Sequence, residues 1–281
     1  MTRMANRVLP LHGSSPAMET MPSSHQADRA SHFAQQQAFL SFYRRCLGFT
    51  AWLLLRKKDP DRELDVAAVR SRLSQGSGLF FSDLAERHLV HCEFEGFEEA
   101  AAWKGSIICA NHPSILDAIC FFWKMPGIGC VVGTNPWSNP LLSLPARLAD
   151  FVPRDPALRM LKECRQRLLR GENILLFPEG TRTTRGALNP FHDGPALLAV
   201  KARAPIRTVF IETNSLFLGK GYSFFKATTE PIKFRFSVGE IFRPNPAETA
   251  RDLSRRLESY YRQNLGRDRD RIFRLPKTSQ P

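Results

Sequence analysis

Asn173-Ile174-Leu175-Leu176-Phe177-Pro178-Glu179-Gly180-Thr181-Arg182 opens as a strand and closes as a charged loop. Ile174 to Phe177 is an unbroken apolar run of strand length, the pattern of a strand covered on both faces. Pro178 cannot continue a sheet ladder, so the chain turns there. An acid, a glycine and a guanidinium then follow at the strand's carboxyl end. Glycine lets backbone amides approach a ligand, and Arg182 offers a planar fork suited to phosphate or carboxylate.

Upstream the same grammar repeats. Ser106-Ile107-Ile108-Cys109-Ala110 reads as a short buried strand after Gly105. Pro113 and Ser114 break it and open a helix at Ile115. That places His112 in the turn, with Asp117 facing back from the first helical turns. Histidine suits proton abstraction near neutral pH, and a carboxylate can hold its ring and stabilise the imidazolium. Phe151-Val152-Pro153-Arg154 is a third short apolar run ending in arginine. Open α/β sheets place their ligands at the carboxyl ends of strands. A His-x4-Asp spacing alone arises by chance too often to carry a function. His88, His91 and His192 read as ordinary surface or satisfied interior histidines, and Thr183 and Thr184 as ordinary loop residues.

Working outward, strand patterns fall at 89–94, 106–110, 128–132, 150–153, 173–177, 206–211 and 232–241. Helix patterns fall at 115–124, 138–148, 156–170, 194–203 and 247–264. The alternation implies an α/β fold: a mixed, mostly parallel sheet flanked by helices. Lys233 to Val238 alternates polar and apolar, which suggests a sheet edge with one wet face. Five regions follow. Residues 1–37, rich in Ser, Pro, Met, His and Gln, read as disordered. Residues 38–58 read as an amphipathic membrane-interface helix, and 59–88 as a linker with a short helix. Residues 89–264 form the main domain, and 265–281 a basic tail.

Composition narrows the partners. The chain has 281 residues and a net charge of +13 at pH 7, which favours an anionic partner. Arg44, Arg45, Arg56, Lys57 and Lys58 bracket the apolar run Cys46 to Leu55. That run is too short to span a bilayer, which takes about 20 apolar residues, but suits a helix lying in the interface. The six cysteines show no metal-ligand or disulfide spacing and read as free thiols in a reducing compartment. No Gly-x-Ser-x-Gly elbow and no phosphate-loop motif occur, and Gly127-Ile128-Gly129 with Gly133 falls one residue off a dinucleotide fingerprint.

Taken in order, these blocks resemble the glycerolipid acyltransferases, the lysophosphatidate-type, PlsC-like family. The family's NH-x4-D block matches Asn111 to Asp117, and its block ending in arginine matches Phe151 to Arg154. FPEGTR is matched letter for letter by Phe177 to Arg182, and a Pro-containing apolar strand is matched loosely by Ala204 to Ile211. The resemblance covers about Leu89 to Arg243, with departures at Pro113, His192 and Arg207.

The resemblance implies a membrane-associated O-acyltransferase with a glycerol-3-phosphate acyltransferase-like fold. His112 would be the general base and Asp117 its orienting carboxylate. Arg154, Glu179, Gly180, Thr181 and Arg182 would hold the acceptor. The acyl donor would be acyl-CoA or acyl carrier protein as co-substrate, with no cofactor and no metal. The acceptor would be a lysophospholipid such as 1-acyl-sn-glycerol-3-phosphate. The enzyme would sit on the cytoplasmic face of the inner membrane, peripheral or monotopic, with no nucleic-acid partner. Two alternatives stand beside it: the same chemistry on a lyso-ornithine or aryl-polyene-type lipid, and a non-catalytic basic module for membrane or nucleic acid.

Overall fold

The structure is a computed structural model that describes residues 40, 41, 44, 45, 47–52, 55, 65–134, 140–184, 188–215, 219, 220, 231–245 and 247–266. The disordered segment expected at 1–37 and most of the basic tail lie outside these residues.

The element order is α1 (Val66–Glu86), β1 (Val90–Glu95), β2 (Ile107–Ala110), α2 (Leu116–Lys124), β3 (Gly129–Val132), α3 (Pro140–Leu148), β4 (Val152–Pro153), α4 (Ala157–Leu169), β5 (Ile174–Leu176), α5 (Gly194–Ala202), β6 (Ile206–Thr213), β7 (Ile232–Phe242) and α6 (Ala250–Asn264). The strands form one seven-stranded sheet in the order β1-β7-β6-β2-β5-β3-β4. Every neighbouring pair is parallel except β6–β7. The mixed, mostly parallel sheet is thus the architecture that the alternation implied.

The strands alternate as a pleated sheet covered on both faces requires. Ile108, Ala110 and Leu175 face the core shared with α1 and α2, whereas Ile107, Cys109, Ile174 and Leu176 face α4, α5 and α6. Burial on both sides removes water from the central strands. It leaves their carboxyl ends as the place where polar side chains can gather.

β7 is not a sheet edge. It lies between β1 and β6, and its alternation has another cause. Arg235, on its wetter face, pairs with Glu95 of β1 at 2.7 Å and lies 3.9 Å from Glu212 of β6. One residue is inserted in β7 opposite Arg207–Val209, where the register shifts. Gly239 occupies this bulge, and a Cβ there would lie 2.5 Å from Thr208 Oγ1.

The linker expected to hold only a short helix instead carries α1, 21 residues long. Gly76, Gly78 and four serines within it give poor local helix propensity. Packing decides otherwise. A Cβ on Gly78 would come within 2.9 Å of the Trp123 ring, so glycine here admits the close approach of α2. Arg70 of α1 is buried and donates to Ala149 O at 2.7 Å, Gly127 O at 2.9 Å and Glu172 Oε1 at 2.7 Å. Arg167 of α4, also buried, pairs with Glu163 at 2.5 Å and with Asp150 at 2.9 Å. Together these guanidiniums clamp the segment that leads into β4 and Arg154.

The described positions between 40 and 55 are helical. Phe49 and Trp52 pack against the main core, with the Arg72 guanidinium 5.8 Å from the Trp52 ring centre. Leu40, Leu47 and Leu55 face outward, 62, 58 and 71% exposed. The two aromatics expected to enter a membrane therefore dock on the protein, and the leucines occupy the opposite stripe. No described helix is long and apolar enough to cross a membrane.

Candidate active site

β2 ends at Ala110, and the next side chain extends its ladder. Asn111 is buried. Its Nδ2 donates to Ile211 O at 2.8 Å and its Oδ1 accepts the Ile211 N–H at 2.7 Å. This fixes where the following turn begins. In that turn His112 Nδ1 lies 3.0 Å from Asp117 Oδ2. The same carboxylate oxygen accepts the Ser114 N–H at 2.8 Å, and Ser114 Oγ accepts the Leu116 N–H at 3.3 Å. Asp117, in the first turn of α2, thus holds the Ser114 N–H and the imidazole at once. With Nδ1–H donated to Asp117, Nε2 carries the lone pair available for chemistry.

Asp117 is wholly buried, and its Oδ1 has no hydrogen-bond partner among the described residues. Burial raises its carboxyl pKa; the hydrogen bond and charge of His112, the Ser114 N–H and the charge of Arg182 work against that rise. The imidazole plane stacks on Phe177, with ring centres 3.9 Å apart and planes at 13°. The aromatic that ends the β5 run therefore forms one wall of the histidine site.

The loops after β2 and β5 are adjacent because the strands pair directly. Glu179 joins them. Its Oε1 accepts the backbone N–H of His112 at 2.8 Å, and its Oε2 accepts the Asn189 N–H at 2.8 Å. Thr183 Oγ1 lies 3.0 and 2.9 Å from the two oxygens and donates to the carboxylate. The Thr183 N–H in turn reaches His112 O at 2.7 Å. Glu179 is 2% exposed, and burial raises its pKa against the pull of these N–H and O–H donors. Both oxygens are spoken for by the protein. Thr183, read from sequence as an ordinary loop residue, is one of the partners that seal this joint.

Beside it lies the cationic part. Arg154, after β4, donates through Nη1 to Gly180 O at 2.9 Å and pairs with Asp155 at 3.2 Å. Gly180 has φ +64, a backbone conformation that favours glycine. Arg182 donates to Gly219 O at 3.1 Å, and its charge is felt at Asp117. Thr181 is half-buried between Gly180 and Arg182. Three strand ends thus bring His112, Asp117, Arg154, Glu179, Gly180, Thr181 and Arg182 into one region.

Thr183 and Asn189 carry no site signal in the sequence, and Phe177, although it opens the FPEGTR block, reads there only as the end of a strand. Asn189 accepts the Thr184 N–H at 3.1 Å and donates to Arg182 O at 3.2 Å, shaping the loop from outside the motif.

Residues 91–212 match the family model described as acyltransferase. A 1-acyl-sn-glycerol-3-phosphate acyltransferase of Limnanthes alba is 30% identical over 156 residues, 52% of this chain and 53% of that protein. One from Helicobacter pylori is 26% identical over 163 residues, 55% of this chain and 68% of its own. The human 1-acyl-sn-glycerol-3-phosphate acyltransferase beta is 30% identical over 168 residues, 56% of this chain and 57% of its own. The chain thus spans little more than half the length of the plant and human relatives. The crystal structure of the 1-acyl-sn-glycerophosphate acyltransferase PlsC from Thermotoga maritima superposes with a TM-score of 0.68 at 20% identity, covering 90% of this chain and 99% of that one. At that identity the likeness speaks for the fold.

Proposed function

We propose that the chain is an acyltransferase of the family that its residues 91–212 match, and that it moves a fatty acyl group from a thioester donor to a hydroxyl of a lysophospholipid such as 1-acyl-sn-glycerol-3-phosphate. The observation that carries the reading is the His112–Asp117 pair, 3.0 Å apart at the end of a central strand and beside the arginines of the next loops. The curated relatives quoted above are named for this acceptor.

In the proposed reaction Asp117 holds Nδ1–H, and Nε2 of His112 takes the proton of the acceptor hydroxyl. The oxygen attacks the thioester carbonyl and an ester C–O bond forms. The C–S bond then breaks, and the imidazolium returns its proton to the departing thiolate. No acyl-enzyme and no cofactor enter this sequence. The donor is acyl-CoA or acyl carrier protein. Arg154 and Arg182 attract the phosphate of the acceptor, with Gly180 and Thr181 forming the floor between them. Glu179 acts through His112 and Thr183 by holding the two loops together, a positioning role that replaces direct contact with the acceptor.

The chemistry is proposed to occur at a membrane surface, on the cytoplasmic face where lyso-lipid acceptors and soluble donors meet. The outward stripe of Leu40, Leu47 and Leu55 supports contact with a membrane surface. Incubation with labelled acyl-CoA and a panel of lyso-lipids, read by product mass, tests the reading. A diacyl product from lysophosphatidate supports it, and product only from an amino-acid or aryl lipid moves the acceptor. No acylated product with any acceptor, from folded protein and either donor, overturns it.

A further inference from the structure

Gly180 is crowded from one direction. The position a Cβ would take lies 2.8 Å from Cδ2 and 3.0 Å from Nε2 of His192, and 3.8 Å from Nη1 of Arg154. The imidazole of a residue twelve positions downstream therefore lies against the Gly180 backbone, beside the Arg154 guanidinium. Its place is anchored, since the His192 N–H donates to Pro178 O at 2.8 Å. The preceding residue is held from the other side, where the Phe191 N–H donates to Glu258 Oε2 of α6 at 3.1 Å. His192 itself is exposed, so a ligand can reach its ring.

We propose that His192 is a specificity-determining residue that donates a ring N–H to the anionic head group of the acceptor. The proposal rests on the acyltransferase reading only for the identity of that acceptor. The charged groups around the imidazole favour this use. Arg154 lies beside it and Arg182 closes the same loop. Among the acids, Glu179 is buried with both oxygens engaged, Asp155 pairs with Arg154, and Glu258 pairs with Arg262 at 2.6 Å. Asp193, next in the chain, is exposed.

The test compares wild type, His192→Leu, which removes the ring donor, and His192→Lys, which keeps a donor, at pH 7. Lysophosphatidate and an uncharged monoacylglycerol serve as acceptors. The KM of His192→Leu for lysophosphatidate should be roughly tenfold that of wild type, the scale of one charge-assisted hydrogen bond, and His192→Lys should stay within about threefold of wild type. The KM for monoacylglycerol and for the acyl donor should stay within about twofold. An unchanged KM of His192→Leu for lysophosphatidate, or a rise in the donor's KM instead, overturns the proposal. If no lyso-lipid is acylated at all, the functional reading fails separately. Calorimetric binding of inorganic phosphate then decides the site: weaker binding by His192→Leu supports it, and equal binding overturns it.

Discussion

The carboxylate of Glu179 accepts the backbone N–H of His112 at 2.8 Å, across 67 residues of chain. An acid at the end of one strand thereby sets the height of a histidine at the end of its neighbour. Removing the imidazole and loosening its mount should give different kinetics. His112→Ala should lose roughly 10²–10⁴ in kcat, the contribution of a general base. Glu179→Gln replaces one acceptor oxygen by a donor facing N–H groups. It should lower kcat while moving the acceptor's KM by less than about threefold. A large rise in KM with unchanged kcat would return Glu179 to the acceptor site.

Asp117→Asn should separate activity from stability. The buried carboxyl has its pKa raised, so the folded state binds this proton more tightly than the unfolded one. The associated stability is present at acid pH and is lost as pH rises from the ordinary carboxylate range through the raised value. Asparagine does not titrate and avoids that loss. The variant should be catalytically impaired, yet its melting temperature relative to wild type should be higher at pH 8 than at pH 4. Each kcal/mol appears as roughly 2–4 °C for a domain of this size. A gap that is constant or reversed with pH would show that burial of the charge is not the controlling cost.

Arg154→Ala and Arg182→Ala should raise the KM of a phosphorylated acceptor roughly ten- to hundredfold, with little change for the donor. Arg182→Lys should rescue only in part, because lysine lacks the fork. Steady-state kinetics with both substrates varied will tell. If the donor's KM rises instead, these arginines serve the CoA or carrier phosphate.

Arg70→Met should destabilise the fold without touching the chemistry. The change removes donors from Ala149 O and Gly127 O and leaves Glu172 without its 2.7 Å partner. Glu172 is 22% exposed and keeps Arg167 at 3.7 Å, so the loss should be that of hydrogen bonds to a charged group, about 1.5–3 kcal/mol. Denaturant unfolding should show a loss of that order. A loss below about 1 kcal/mol would mean that Arg167 and solvent already suffice for Glu172.

Membrane attachment should depend on the outer stripe and not on the docked aromatics. Replacing Leu40, Leu47 and Leu55 together by serine should reduce sedimentation with anionic vesicles at high salt at least tenfold, since burying each leucine is worth about 1.5–3 kcal/mol. Wild type should weaken with salt without full release, because screening acts on the basic flanks alone. Wild-type protein that stays in the supernatant at low salt would remove the membrane role from this helix.

The local parts of the site were legible in the chain. Ile107 to Ala110 and Ile174 to Leu176 are too apolar and too short to be anything but covered strands, and prolines mark where they stop. Four residues lie between His112 and Asp117, a spacing that one turn and the start of a helix close without outside help. Other relationships needed the tertiary structure. β7 is flanked on both sides, although its alternation is that of an edge, because alternation reports which side chains are wet and not what lies beside the backbone. The helix of Val66 to Glu86 exists despite Gly76 and Gly78, because packing against Trp123 outweighs local propensity. Glu179 reached His112 only once β2 and β5 became neighbours, and His192 reached Gly180 through the fold of the loop between β5 and α5. A sequence encodes burial through periodicity and turns through local sterics. Strand order follows from the packing of every element at once, and that order decided which loops meet.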